Sequence, residues 1–527
     1  MSRFFKLIVV AVLLGLPYLN RAQNTASLIK INAKDAEKKL LAGNYEDALD
    51  DYLNLVTEDP HNTKYNYDIG VCYLNIHGNK TKAIPYLVKA VHDPKHDPNA
   101  DYFLGRAYHY ANRFDDAIKA LNVFKEGAKG TVENLKMVDQ QIQYCWNAKE
   151  LMKFPLNVTF TNLGTNVNTE YDEHFAFIPI DESFVVFNTN RPEKSGVEME
   201  NGEFGNSIYI SEVKNGEFQK AYSIGSPINK GNSGEEIIGL SANGDIMLLY
   251  IKEGTKSGNI YISEKDNKGL FKKPVLLDEN VNSTSEEIAA SISTDGNTIY
   301  FASNRPGGFG GTDIYVSSKT PNGKWGVPVN LGTGINTPQN EDFPNIAPDG
   351  KTLYFSSTGH TSMGGYDIFK AQRNEESTKW ENARNLGYPI NTTDDDMNFR
   401  ISRSERYGYI SAFKEKGLGD FDNYRVIFNE VDPEFTVIRG TVLSEDGTQV
   451  NYPDVLLTVT DENTKELIGT YLPNPNTGKY VIILPPGKYM LEVDLFNFRL
   501  LTKKLEILDK ISFQSVLELD LKLQIKQ

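Results

Sequence analysis

Five acidic residues recur at a spacing that could do chemistry. Glu173, Glu236, Glu287, Asp342 and Asp396 lie 63, 51, 55 and 54 residues apart. Each opens a similar body: "EYDEHFAFIPI", "GEEIIGLSANG", "SEEIAASISTDG", "NEDFPNIAPDG" and "DDDMNFRISRS". Carboxylates gathered at one mouth suit a hard cation such as Ca²⁺. Two opposed carboxylates suit glycoside hydrolysis. In the third reading each acid accepts hydrogen bonds within its own turn and recurs because its unit recurs. Catalytic pairs sit in unlike environments and these five look alike, which favours the structural reading.

Other catalytic constellations are missing from the sequence. There is no G-x-S-x-G elbow, no HExxH and no P-loop. His92 and His96 are four apart, but Pro94 and Pro98 break any helix that would align them. Cys72 and Cys145 form no CxxC and are expected as buried small hydrophobes. The expectation is a chain that is not an enzyme and carries no cofactor, Ca²⁺ excepted if the acids gather. The net charge of -15 argues against nucleic acid, which needs a clustered basic surface.

A chain of 527 residues exceeds one core, and three regions are expected to position these groups. Residues 25–152 read as helices. Ala48, Ala83 and Ala117 recur 35 and 34 apart, with Gly70 and Gly105 upstream of the last two. With "IGVCY" and "LGRAY", this resembles the tetratricopeptide repeat. The resemblance implies three helical hairpins, the helix "TVENLKMVDQQIQYCWNAKELM" capping the stack, and a groove facing Lys64, Tyr67, Asn99, Tyr102, Arg106 and His109. That groove either takes a protein partner or packs on the next domain.

Residues 154–430 alternate apolar and polar in units of about 54 residues, which implies the blades of a β-propeller. Asp-Gly between apolar runs is a hairpin turn, and the paired glycines are expected to reverse the next connection. Asp313, Asp367 and Asp422 precede the third strand of their units and are expected to bond nearby backbone. Phrases such as "NLGTGIN" link the units. The fifth body lacks one, yet "FPLNVTFTNLGTNVN" stands before the first. Five blades are therefore predicted, the N-terminal strand completing the last and closing the ring. "APDGKTLYFSS" and "GGYDIF" make the region resemble the PD40 or TolB-like propeller family.

Residues 436–522 alternate as a small antiparallel β-sandwich. "TGKY" and "PPGKY" resemble the carboxypeptidase-regulatory-like, transthyretin-type domain, which implies a fold and no catalysis. Residues 1–22 place Arg3 and Lys6 before "LIVVAVLLGLPYL", the pattern of a cleaved secretory signal, with an uncleaved anchor as the alternative. No later segment is apolar enough to span a membrane.

The order of these parts resembles envelope proteins of bacteria with type IX secretion and gliding machinery. Those relatives commonly continue into an OmpA-like domain, which this chain lacks. The resemblance implies an exported, periplasmic scaffold or tether, peripheral to the outer membrane, whose partners are envelope proteins and outer-membrane or peptidoglycan components. The alternative is a propeller that binds a carbohydrate or peptide, or a hydrolase using the channel carboxylates.

Overall fold

The structure, a computed structural model, describes residues 32–127, 132–192, 204–230, 235–252, 258–374, 379–402, 406–414, 416–429, 436–485, 487–507 and 516–526. The expected signal, residues 1–22, lies outside the described residues.

The N-terminal helices are Ala33–Leu41, Tyr45–Glu58, Thr63–Asn75, Ile84–Val91, Asn99–Tyr110, Phe114–Gly127 and Val132–Leu151. Asn32, Asn44 and Asn62 each accept a backbone N–H at a helix start, satisfying a donor the helix leaves open. Ala36, Ala48, Ala83 and Ala117 have no exposed surface. A Cβ on Gly70 would fall 2.4 Å from Leu87, and one on Gly105 would fall 2.6 Å from Leu121. The recurring small residues therefore stand where paired helices touch. Cys72 and Cys145 are buried and free.

Five antiparallel sheets follow, and they are those of a β-propeller. The innermost strands are Glu173–Phe177, Glu235–Leu240, Glu287–Ile292, Glu341–Ile346 and Arg400–Ile401. Val158–Asn162 pairs antiparallel with Asp422–Phe428 and is the outer strand of the fifth sheet. Asn168, in the link that follows, clamps the same sheet: its Oδ1 accepts from Asn423 N and its Nδ2 donates to Asn423 O. Asn336 and Asn391 clamp Ile314 and Ile368 in the same way.

The paired glycines have another reason than the expected reversal. Gly310, Gly311, Gly364 and Gly365 are not among the residues of positive φ. They are points of close approach instead. A Cβ on Gly310 would lie 1.8 Å from Gln339 O, and one on Gly364 would lie 2.7 Å from Asp394 O. Gly419 makes the same approach to Tyr171 O at 2.1 Å, so the contact passes from the fifth sheet back to the first. Gly296 and Gly350, in the Asp-Gly turns, do take positive φ. Asp313, Asp367 and Asp422 accept from backbone N–H groups three or four residues upstream.

The C-terminal residues form two sheets around one core that includes Ile438, Leu457, Ile482 and Leu491. The expectation of purely antiparallel pairing is corrected here. Val516–Glu518 and Leu521–Leu523 run parallel to Thr436–Ser444. Neither alternation nor turn residues distinguish that arrangement, because a strand added after a long connection can pair in either sense.

Candidate functional site

The five acids do not form one ring; they fall into two registers. Glu173, Glu287 and Asp396 each follow a Thr or Ser by four residues and accept its N–H and its hydroxyl. Glu173 takes Thr169 N at 2.6 Å and Oγ1 at 2.7 Å. Glu287 takes Ser283 N at 3.0 Å and Oγ at 2.8 Å. Asp396 takes Thr392 N at 2.6 Å and Oγ1 at 2.9 Å. In the fourth sheet this place belongs to Glu341, bonded by Thr337, and in the second to Glu235, which is paired with Ile251. Glu236 and Asp342 are one residue further on. The spacing alone could not separate the registers, because both sheets carry adjacent acids.

The turn acids have a partner that the sequence reading overlooked. In the first and third sheets a second hydroxyl comes twenty residues after the Thr or Ser, and an arginine two later. Thr189 Oγ1 donates to Glu173 at 2.9 Å, and Arg191 Nη2 lies 2.7 Å from the same carboxylate. Ser303 and Arg305 hold Glu287 at 2.7 and 3.0 Å. Ser357 and His360 stand near Glu341, and Lys414 stands near Asp396. The recurring "TNR" and "SNR", with "AFK" in the last unit, were the available signal. These clusters staple the first and second strands of a sheet at one end. Among the described residues, no three His, Cys, Asp or Glu side chains come together as a group that could hold a metal ion.

The next residue of each inner strand forms the other set: His174, Glu236, Ile288, Asp342 and Met397. These types do not repeat, so the sheet does not require them. Phe175 and Phe343 follow two of them, both in the left-handed region, at φ 57° and 46°. Their ring centroids are 4.8 Å apart. They belong to the first and fourth sheets, between which Phe399 and Arg400 of the fifth intervene, so the rings meet within the space the inner strands enclose. The pair links the inner strands of the first and fourth sheets. His174 packs edge-on against Phe175 at 4.8 Å, and Asn206 Nδ2 donates to Glu236 at 2.9 Å.

Asp342 is 2 % exposed and accepts one hydrogen bond, from Phe343 N at 2.7 Å. Burial with so little compensation pushes its pKa up to about 7. Burial also pulls the pKa of His174 down, against the attraction of Glu236. The inner strands thus carry a buried carboxyl whose pKa is raised to about 7, an imidazole whose pKa is lowered by burial, and a pair of aromatic rings in contact.

The helical groove is partly occupied by the protein itself. His109 is buried, its Nε2 donating to Met363 O at 2.9 Å while Gln141 donates to its Nδ1. At this position the groove packs on the next domain, one of its two expected fates. Gln140, Tyr144 and Asn147 donate to Thr358 and Ser362 carbonyls, and Lys80 pairs with Asp394 at 2.5 Å. The expected cap helix therefore also seats the helices on the fourth sheet's loop. Tyr102 packs beside Phe124 and Arg106 donates to Tyr110 Oη at 2.7 Å. Tyr67 stands against Phe103, Lys64 pairs with Glu37 and Asp68, and Asn99 is exposed.

No protein-family model and no curated protein matches the chain. Solved structures similar to it include the type III secretion translocator chaperone SycD of Yersinia enterocolitica, 20% identical over 22% of this chain and 83% of that one at a TM-score of 0.20, and several propeller-type proteins. A GH43 β-1,3-galactosidase is 10% identical, with 67% of this chain and 82% of that one covered, at a TM-score of 0.32. A glycosyl hydrolase from Bacteroides ovatus is 12% identical over 49% and 84%, at 0.31. The periplasmic gluconolactonase of Pseudomonas aeruginosa is 12% identical over 60% and 85%, at 0.27. The expectation that the chain is not an enzyme is corrected on this finding, since the propeller-type proteins similar to it are enzymes. No helix among the described residues is long and apolar enough to cross a membrane.

Proposed function

We propose that this chain is an exported propeller protein that binds a neutral, hydroxyl-rich ligand, a carbohydrate, at the channel mouth. The observation that carries the reading is Asp342. Glu173 and Glu287 share one cluster of hydroxyl and arginine partners; Asp342 has no such cluster, and a buried carboxyl with one hydrogen bond costs stability. A site that tolerates such a group, beside His174 and Glu236 and above Phe175 and Phe343, offers donors, acceptors and an aromatic face. Those are the features that bind sugar rings. A second reading, turnover of that ligand, is favoured by the same carboxyl, whose pKa near 7 suits proton transfer at neutral pH.

In this proposal residues 1–22 are a signal peptide and the protein is periplasmic. Residues 25–152 are a tetratricopeptide-type stack and 154–430 a five-bladed ring of PD40 type. Residues 436–522 are a transthyretin-type sandwich. Capture of envelope proteins, as in secretion or gliding assemblies, is left to Lys64, Tyr67 and Asn99, because His109 is spent on docking.

The test is calorimetric titration of the full chain with defined oligosaccharides, followed by product analysis of any binder. Asp342→Asn and Phe343→Ala should weaken binding at least tenfold while the fold persists by circular dichroism. A chain that binds none of them, or binds equally well without Asp342, would sink the proposal.

A further inference from the structure

On the inner strand of the fifth sheet stands a buried cation with no counter-charge among the described residues. Arg400 is 7 % exposed. Its guanidinium lies 4.3 Å over the Phe177 ring, and its Nη2 donates to Asn398 Oδ1 at 2.8 Å. Its Nε is buried with no hydrogen-bond partner, and so is Asn398 Nδ2. No carboxylate among the described residues pairs with it. Other arginines of the protein are treated differently: Arg191, Arg305, Arg425 and Arg439 face Glu173, Glu287, Glu182 and Glu518.

A guanidinium taken out of water without an anion is costly, and unmade N–H bonds add to the cost. Burial alone pulls the pKa of Arg400 down to about 9. An arginine keeps its proton there at neutral pH, so the positive charge remains and needs compensation. Beside it lies a cavity of about 40 Å³, lined by Arg400, Phe177, Asn345, Leu240, Ser402 and Tyr409. Such a volume accommodates one monatomic anion or one to two waters and no organic ligand. Asn345 Nδ2 is already committed to Phe399 O, and Tyr409 Oη to Glu182, which leaves the guanidinium of Arg400 as the charged group facing the cavity.

We propose that a halide-sized monovalent anion occupies this cavity, bound by the guanidinium of Arg400. It neutralises the one charge that the fifth sheet carries into the channel and stiffens the inner strands of the first, fourth and fifth sheets around it. The site is separate from the carbohydrate site and does not depend on it.

Thermal unfolding of the full chain at constant ionic strength tests the idea. Chloride or bromide should raise the midpoint by about 2–5 °C over gluconate, which is too large to enter. Arg400→Met should abolish the difference. Should that variant fail to fold, bromide-grown crystals of the unaltered protein should show an anomalous peak within hydrogen-bonding reach of Arg400. Equal midpoints in halide and gluconate would overturn the proposal, and so would a bromide structure with only water in the cavity.

Discussion

At the scale of the residue, two kinds of acid share one neighbourhood and differ in what surrounds them. Glu287 has no exposed surface and is compensated by Ser283, Ser303 and Arg305. Removing the cation by Arg305→Ala leaves that charge buried and unpaired, which should cost about 3–5 kcal/mol in urea unfolding. Lys504→Ala, at an exposed pair with Glu462, should leave the urea midpoint essentially unchanged. Asp342 should behave oppositely. Its carboxyl titrates near ~3.9 in the unfolded chain and at about 7 in the folded one, so the folded state holds the extra proton between those values. Its contribution is therefore present at low pH and is lost as pH rises toward about 7. Asp342→Asn should flatten that part of the stability profile. Above pH ~7 it should make the protein more stable than the parent, on the order of 4 kcal/mol. A profile that is unchanged by the substitution would mean that water reaches the carboxyl freely.

At the scale of the element, glycines with the same look have different work. Gly310 and Gly364 sit where one sheet's loop lies against the next sheet's backbone, and a Cβ would meet a carbonyl oxygen that cannot move. Gly364→Ala should lower stability by about 3 kcal/mol or more, since the sheet-to-sheet spacing must change. Gly323 takes φ 81° with open space around it, so Gly323→Ala should cost only about 1 kcal/mol of backbone strain. Thermal melts of the two variants separate these mechanisms. Similar losses in both would show that the close approach is relaxed in solution.

At the scale of the whole molecule, the fifth sheet depends on chain that precedes the first. Val158–Asn162 supplies its outer strand, and Asn168 clamps Asn423. A chain beginning at residue 157 should fold and melt cooperatively, although it lacks the helices. One beginning at residue 169 exposes the edge of Asp422–Phe428 and should aggregate or lose its sharp transition. Size-exclusion chromatography with calorimetry checks both. If the shorter chain remains monomeric with an unchanged melt, Val158–Asn162 does not complete the fifth sheet in the way its pairing indicates.

The sequence by itself carried what is local or repeated. Helix spacing was legible through Ala48, Ala83 and Ala117, hairpin turns through Asp-Gly, and the spare strand through a count of linking phrases. Such features need only near neighbours, or copies of themselves, to be recognised. The tertiary structure alone decided what depends on atoms meeting from distant segments. It separated Glu236 and Asp342 from the turn acids, because adjacent residues of a strand point to opposite faces and a one-residue offset changes the whole environment. It brought Phe175 against Phe343 across 168 residues of chain, placed His109 under Met363, and left Arg400 with no carboxylate partner among the described residues. Burial sets the chemistry of those groups, and burial is a property of the assembled ring.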